Sequence, residues 1–263
     1  MAQLTYTYFT PVASAGLKAD LCYDYVISCR AFVDIHMGLG VAKVTGVDFQ
    51  VRLPTQNLTT LVFSADLVAS NVINGEVNGI AITPVTYTSS HLNTMGLIAA
   101  AIETADDQLT ATVGGANNRT ITIQANNGFN ATAANWIVTL GASQATITIT
   151  NTNNDVFYGI SLRQKNKQNV YTPLGSGGPT PYFIGDSVPV ETNGVVWVQP
   201  ETAVSSDGPV YWRFVDGGLG KAIGQFRNDS DAGTAILIPS SIARWLTSSS
   251  GNGNYAQLQI KLP

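Results

Sequence analysis

The sequence predicts a mainly β fold: an antiparallel β-sandwich or barrel-like domain that carries an inserted small α+β module. Short runs of alternating hydrophobicity recur along the chain and are separated by turns rich in glycine and asparagine. A single segment has the convincing periodicity of an amphipathic helix. The closing stretch YAQLQIKL places apolar residues on one face and polar residues on the other, as in a sheet with one solvated face.

The chain divides into three sections, which we assign to two domains. Residues 1–63 and 156–263 are expected to form the β-rich domain, and residues 64–155 are inserted between its two parts. In the first section, VTGVDFQVRL alternates Val47, Phe49 and Val51 on one face, which predicts a strand. The third section predicts strands at FYGISLR, PVYWRFV, KAIGQFR and TAILIP, and a short helical turn at SSIARWL.

The inserted section predicts the element order β-α-β-β-β-β. VNGIAITPVTY predicts a strand with an Asn-Gly turn near its start. The helix is expected over about residues 91–104, with Ser90 or Asn93 as its N-cap. LTATV, RTITIQA, NWIVTL and ATITIT predict the four later strands. The apolar stripe of the helix comprises Leu92, Met95, Ile98, Ala99 and Ile102.

The stretch YFIGDSVPVETNGVVWVQP, residues 182–200, predicts a β-hairpin. Asn193-Gly194 suits a two-residue turn in which both residues have positive φ. Asp186 and Glu191 are expected to be solvated acids that do not share a proton. The core-facing side chains of this hairpin would be Val188, Val190, Val195 and Trp197.

Composition argues against nucleic-acid binding and against a membrane protein. Charged residues make up 11% of the chain and the net charge is -4, so no strong basic field exists to hold nucleic acid. Arg163, Lys165 and Lys167 predict a solvated strand edge. The N-terminal residues lack the pattern of a secretory signal, and no apolar run is long enough for a membrane span.

The sequence shows no catalytic constellation, and we expect no enzyme and no cofactor. The GxSxG, HExxH and GxxxxGK[ST] patterns are absent. Cys22 and Cys29 are expected to be free thiols packed as small hydrophobic residues. Asp229 and Asp231 in NDSDAG resemble a fragment of a calcium loop, which leaves a weak cation site as one interpretation and a favoured Asx-turn as the other.

Several pieces, taken in order along the chain, resemble the structural cement, or head-decoration, proteins of tailed bacteriophages. The pieces lie in the first and third sections, and the middle section is left out of the resemblance. They are LTYTYF...SAGLKAD, VISCRAFVDIHMGLGV, DVFYGISLRQ, YFIGDSVPVETNGVVWVQ and IPSSIARWLTSSSGNGNYAQLQIKL.

This resemblance implies a non-enzymatic virion protein, assembled in the host cytoplasm, on the outer surface of the capsid. It would cement neighbouring major capsid protein subunits of an HK97-like lattice against internal DNA pressure. We expect a homo-oligomer, with a trimer favoured over a dimer, and an inserted module that faces outward. The aromatic N-terminal arm supplies the candidates for capsid or subunit contact: Tyr6, Tyr8 and Phe9.

An alternative function remains open at this point. The inserted module and the surface rich in threonine and asparagine also suit a tail-fibre or head-fibre module that binds glycans of the host surface.

Overall fold

The structure, a computed structural model, describes residues 14–19, 24–126, 129–141, 144–164, 181–251 and 253–262. The chain forms two compact units: unit 1 combines Met1–Pro54 with Val156–Pro263, and unit 2 is Thr55–Asp155. The first boundary thus follows Pro54 and does not lie near residue 63, where the sequence placed it. The reason is that Leu58–Phe63 forms a strand that pairs with two other strands of unit 2.

The described residues contain 18 strands and one α-helix. The first strands of unit 1 are β1 (Tyr25–Ala31), β2 (Gly40–Lys43) and β3 (Gln50–Arg52). Unit 2 holds β4 (Leu58–Phe63), β5 (Val72–Val77), β6 (Ile80–Ala81), β7 (Val85–Thr86), α1 (His91–Ala105), β8 (Leu109–Gly114), a 3-10 turn (Ala116–Asn118), β9 (Thr120–Ala125), β10 (Ala133–Thr139) and β11 (Ile147–Thr152). Unit 1 resumes with β12 (Phe157–Ser161), β13 (Ser187–Val198), β14 (Val210–Arg213), β15 (Phe226–Arg227), β16 (Ala235–Ile238), β17 (Ala243–Trp245) and β18 (Ala256–Lys261).

Five strands of unit 1 close into a barrel, which confirms the predicted mainly β, barrel-like class. β1 pairs with β3, β3 with β2, β2 with β12, β12 with β13, and β13 returns to β1. Only the β1–β3 pairing among these is parallel. The barrel core consists of Cys29, Ala31, Ile35, Met37, Val41, Val51, Tyr182, Val188 and Val190.

A second core lies beside the barrel in unit 1. β13 continues the sheet into β18 and β17, and β14 stands between β15 and β16 in a separate three-stranded sheet. Apolar side chains from both sheets pack together, and Phe157 meets Trp212 edge to face with ring centroids 5.3 Å apart. The predicted alternation of the last strand is confirmed, because Ala256, Leu258 and Ile260 are buried in this core.

The predicted hairpin at Asn193-Gly194 is wrong, because β13 runs through both residues as one strand. Up to and including Asn193 this strand pairs with β1, and from Asn193 onwards it pairs with β18. The Asn-Gly dipeptide therefore marks a change of partner and not a turn. Glycine suits the position because a Cβ on Gly194 would lie 2.7 Å from Oε1 of Glu191.

The continuous strand also changes which side chains face the core. Val188 and Val190 lie in the barrel core, as predicted. Alternate residues of one strand share a face, so Val196 and Val198 enter the second core on that same face. Trp197 points to the opposite face and is only half-buried, and its predicted core position is wrong.

Two other local predictions are wrong. Val47 and Phe49 belong to a turn and not to a strand, and their side chains are 45% and 62% exposed. The chain becomes extended only at β3, where pairing with β1 and β2 begins. The expected helical turn at SSIARWL is a turn followed by β17, because residues 243–245 pair with β18.

In unit 2 the predicted helix is confirmed and extends over His91–Ala105. Ser90 is the N-cap, and its Oγ accepts a hydrogen bond from the backbone N–H of Asn93 at 3.2 Å. Met95, Ile98, Ala99 and Ile102 of the stripe are buried, whereas Leu92 is exposed.

The strands of unit 2 form two four-stranded sheets over one apolar core. One sheet has the order β10-β5-β6 with β7 also on β5, and the other has the order β11-β4-β9-β8. Asn78 and Gly79 form the predicted two-residue turn between β5 and β6, with φ of 49° and 77°. Four strands follow the helix, as predicted, but four short strands instead of one precede it.

The outward face of the β11-β4-β9-β8 sheet is uncharged, and we call it the threonine face. The cross-strand registers place the same-face residues in three rows, while the opposite face supplies buried residues such as Leu61 and Ile121. The rows are Thr152–Leu58–Gln124–Thr110, Thr150–Thr60–Thr122–Thr112 and Thr148–Val62–Thr120–Gly114.

Candidate functional site

The contact candidates named from the sequence, Tyr6, Tyr8 and Phe9, lie outside the described residues. The same holds for Cys22, Lys165 and Lys167. Three other features of unit 1 lie within the described residues and are relevant to binding. They are a segment near the N-terminus, an exposed apolar loop, and a cluster of buried charges.

Residues Ser14–Ala19, which we call the N-terminal anchor, lie along β13. The backbone N–H of Gly16 donates to the carbonyl of Trp197 at 2.9 Å, and the N–H of Trp197 donates to the carbonyl of Leu17 at 2.8 Å. The N–H of Ala19 donates to the carbonyl of Val195, also at 2.8 Å. Main-chain hydrogen bonds therefore hold the N-terminal anchor against β13.

A buried carboxylate reinforces this anchor. The prediction that Glu191 is solvated is wrong, since its side chain is 0% exposed. Its Oε1 accepts a hydrogen bond from the N–H of Tyr25 at 3.1 Å, and its Oε2 lies 3.5 Å from Nζ of Lys18. Burial raises the pKa of Glu191 and the charge of Lys18 opposes that rise. Lys18 also pairs with Asp24, so the anchor is held by charge as well as by its backbone.

Residues Phe183–Asp186, which we call the clamped loop, present two large apolar side chains to solvent. Phe183 is 50% exposed and Ile184 is 69% exposed. The N–H of Phe183 donates to Oδ2 of Asp186 at 2.9 Å, and the N–H of Ile184 donates to Oδ1 of Asp34 at 3.1 Å. The two adjacent apolar side chains are thus displayed by a backbone that carboxylates hold in place.

The rest of the clamped loop is equally well tied to the barrel. The N–H of Gly185 donates to the carbonyl of Ala31 at 2.8 Å, and the N–H of Ala31 donates to the carbonyl of Asp186 at 2.9 Å. Gly185 has a φ of 91°, a conformation that glycine adopts without strain. A surface element that is already ordered loses little conformational entropy on binding, so this loop suits a contact with another protein.

Buried charges form the third feature, which we call the arginine cluster. It lies at β14 and β15 and consists of Arg213, Arg227, Glu201, Asp229 and Asp231. Arg213 and Glu201 are each 1% exposed, with Nε and Oε1 2.5 Å apart. Oε2 of Glu201 accepts from Nη2 of Arg213 at 2.9 Å and from Nη1 of Arg227 at 2.8 Å.

The aspartates of NDSDAG face the arginine cluster, and the cation-site interpretation is wrong. Asp231 binds both Arg213 and Arg227, and Asp229 binds Arg227 at 2.6 Å. Two guanidinium groups already neutralise the charge of these carboxylates. The Asx-turn interpretation agrees with the N–H of Asp231, which donates to Oδ1 of Asp229 at 3.0 Å.

The ionisation of the cluster follows from its geometry. Burial opposes the charge of Arg213, but hydrogen bonds to Glu201 and Asp231 outweigh it and raise the arginine pKa. The hydrogen bond from Arg213 lowers the pKa of Asp231. Both shifts favour the charged forms of Arg213 and Asp231, and this ion pair joins β14 to the loop that carries Asp231.

The described residues offer little chemistry beyond binding. Cys29 is buried in the barrel, and burial raises its pKa to about 11, which keeps the thiol protonated and poorly nucleophilic. Asp106 caps the end of α1 and accepts from Nδ2 of Asn78 at 2.7 Å, a structural role. Where the chain is described, no group of three or more His, Cys, Asp or Glu side chains could hold a metal ion. Over the same residues, no helix has the length and apolar character of a membrane span.

Sequence could have revealed only part of these features. The Gly-Asp step after two apolar residues in YFIGD marks a turn with exposed hydrophobic residues, which is the clamped loop. The burial of Glu191 has no local signal, because its partner Lys18 is far away in sequence. The arginine cluster likewise brings together residues from three separate segments of the third section.

The fold was also compared with solved structures. One similar chain comes from a structure titled "The capsid of Myoviridae Phage XM1", with 11% sequence identity and a TM-score of 0.45. The alignment covers 99% of this chain and 98% of that chain. A search of curated proteins found no match.

A comparison with protein-family models is more informative. The model described as structural cement protein (E217 gp24/Pam3 gp6) matches residues 104–261. The match begins at the end of α1 and includes β8 to β11, which lie outside the resemblance described from the sequence. It does not reach the N-terminal pieces of that resemblance. Because the match takes in 158 of the 263 residues, the chain belongs to the structural cement protein family.

Proposed function

We propose that this protein binds the outer surface of a phage capsid and cements neighbouring major capsid protein subunits against the internal pressure of packaged DNA. The observation that carries the proposal is the family match, which spans every strand of unit 1 from β12 to β18. Family membership supports a structural, non-enzymatic role in association with the virion capsid. The outer surface, the cementing action and the contacts described below are our proposal.

In this proposal unit 1 is the capsid-binding part and unit 2 faces outward. Two elements of unit 1 would contact the capsid. The first is the clamped loop, whose Phe183 and Ile184 side chains are exposed on an ordered backbone. The second is the N-terminal arm with Tyr6, Tyr8 and Phe9, which precedes the N-terminal anchor in the sequence. Apolar and aromatic side chains in such positions are typical centres of binding energy at protein interfaces.

The architecture of unit 1 suits a protein that must keep its shape under tension. The closed barrel pairs each of its five strands with two neighbours, so none of them is a free edge within the barrel. The arginine cluster links β14 and β15 to the loops around Glu201 and Asp231. Charged hydrogen bonds of this kind are individually strong and hold those loops in one geometry.

We further propose that the protein acts as a homo-oligomer on an HK97-like lattice, with a trimer at local threefold positions favoured over a dimer at twofold positions. Closed symmetric oligomers match the symmetry of a shell, and several weak contacts made at once give long-lived attachment. Sedimentation equilibrium of the purified protein measures its mass directly. A dimer or a monomer on its own and on the particle would contradict the trimer.

The experiment that tests the capsid role is co-sedimentation with purified tailless heads that lack this protein. We expect saturable, stoichiometric binding and a higher temperature of DNA release after binding. Ile184→Ser should weaken binding by about tenfold, because the loss of one well-placed apolar contact costs on the order of 1.4 kcal/mol.

Leu219→Ser is the matched control, since Leu219 is 84% exposed in a different loop of unit 1 and should leave binding unchanged. If the wild type binds and Ile184→Ser binds equally well, then the clamped loop is not part of the contact. Heads that bind none of the wild-type protein, and that resist heat equally well with or without it, would contradict the capsid role itself.

A further inference from the structure

The threonine face of unit 2 is a regular array of hydroxyl groups. Its central row runs Thr150, Thr60, Thr122 and Thr112 across four adjacent strands. Strands in a sheet lie about 4.8 Å apart and alternate residues lie about 6.8 Å apart, so the hydroxyls form a regular two-dimensional array. Thr150 and Thr112 are exposed, and the two threonines between them are half-exposed.

These hydroxyls have no partner within the described part of the protein. No threonine of the face makes a side-chain hydrogen bond to another described residue. The contrast with the buried face of the same strand is clear, because Oγ1 of Thr59 donates to the carbonyl of Ala131. Each free hydroxyl can donate one hydrogen bond and accept others.

Charge and area limit what can bind this face. None of its positions carries a charge, so it offers no attraction to nucleic acid, to an anionic polymer or to a charged protein patch. Four strands and five residues along each give about 19 Å by 17 Å, which is roughly 300 Å². A stable protein interface buries about 800 Å² on each partner, so the threonine face by itself is too small to hold a second copy stably.

We propose that the threonine face binds a stretch of an uncharged polysaccharide. Sugar hydroxyls donate and accept as threonine hydroxyls do, and the threonine methyl groups between them offer apolar contact to the C–H groups of a sugar ring. An array that repeats across four strands suits an extended polymer that lies across it. This activity is separate from the proposed capsid role, which we assign to unit 1.

The test is native electrophoresis of the purified protein through gels that contain dextran, hydroxyethyl cellulose or mannan, with heparin as the anionic comparison. The test variant carries Thr60→Val, Thr112→Val, Thr122→Val and Thr150→Val, which remove hydroxyls but keep the branched shape that favours strands. The control is Thr86→Val, at an exposed strand position in the other sheet of unit 2. Circular dichroism melting verifies that both variants fold.

We expect at least one neutral polysaccharide to retard the wild type and the control equally. The four-threonine variant should bind that polysaccharide about tenfold more weakly or worse, since several hydrogen bonds are lost at once. Three results would overturn the proposal: retardation by none of the neutral polymers, equal retardation of the four-threonine variant, or retardation by heparin alone. Sedimentation velocity could also overturn the proposal. If the wild type self-associates and the four-threonine variant does not, then the face binds a second copy of the chain.

Discussion

Replacing Glu201 with glutamine tests the arginine cluster most sharply. The carboxylate is 1% exposed and accepts three charged hydrogen bonds, two from Arg213 and one from Arg227. Glutamine keeps the shape but removes the negative charge that both buried guanidinium groups need. Breaking a buried ion pair by removing one partner typically costs 3–5 kcal/mol, and we expect about 3 kcal/mol for Glu201→Gln because Asp231 still pairs with both arginines.

Asp229→Asn is the matched comparison within the same cluster. The side chain of Asp229 is 60% exposed, and its partner Arg227 keeps its contacts with Glu201 and Asp231. Exposed ion pairs contribute about 0–1 kcal/mol, so this change should cost less than about 1 kcal/mol. In a unit of this size, 1 kcal/mol corresponds to about 2–4 °C, so the two variants should differ by several degrees in melting temperature.

The assay is urea unfolding at pH 7 followed by tryptophan fluorescence in a Trp136→Phe background. Trp136 is the one tryptophan of unit 2, so the remaining three report on unit 1 alone. The free energy of unfolding should fall by about 3 kcal/mol for Glu201→Gln, with an unchanged slope against urea. If Glu201→Gln lowers the free energy of unfolding by an amount within about 1 kcal/mol of the loss for Asp229→Asn, the reasoning that Glu201 holds two buried arginines is refuted.

Three further predictions concern packing and reactivity in unit 1. Gly159→Ala should cost about 2–3 kcal/mol in urea unfolding, because φ is 150° and a Cβ would lie 2.3 Å from a backbone oxygen of β13. Gly46→Ala, where nothing lies within 4 Å, should cost only about 1 kcal/mol, which comes from its positive φ of 78°. Equal losses would contradict the close approach at Gly159. Trp212→Ala should cost about 3–5 kcal/mol because the side chain is 1% exposed, and half-buried Trp197→Ala should cost clearly less, so the reverse order would contradict the assigned faces of β13 and β14. Cys29, with its pKa raised to about 11 by burial, should resist iodoacetamide at pH 8 until urea unfolds unit 1, and rapid labelling of the native protein in peptide mass mapping would contradict that burial.

Sequence predicted the parts of the fold that depend on local periodicity. The closing strand and helix α1 were both identifiable, because Leu258 and Ile260 recur every second residue and Ile98 and Ile102 lie one turn apart. The Asn-Gly turn at Asn78 was also identifiable, since two adjacent positive φ angles are needed there.

The same Asn-Gly signal failed at Asn193 because strand partners decide the outcome there. Asn193 pairs with Tyr25 and with Lys261, both far away in sequence, and these pairings keep the chain extended. Local propensity carries no information about such partners. The wrong turn at Asn193 and the wrong face for Trp197 both follow from these distant pairings.

The candidate site was less predictable than the fold, for a related reason. Glu191 is buried beside Lys18, a cation that lies far away in the sequence. The sequence around Glu191 resembles an ordinary polar turn, and NDSDAG around Asp229 and Asp231 resembles an ordinary loop. Only the fold brings Lys18 to Glu191, and only the fold brings the arginines to Asp229 and Asp231.

The central claim is that unit 1 attaches this protein to the outside of a capsid. The most direct measurement is the difference in electron cryo-microscopy density between heads with the protein bound and heads without it. We predict added density on the outer surface at symmetry-related positions, with unit 1 against the shell, the clamped loop at the contact and unit 2 pointing away. Added density inside the shell, contact made through unit 2, or no ordered density at saturating protein would contradict the account.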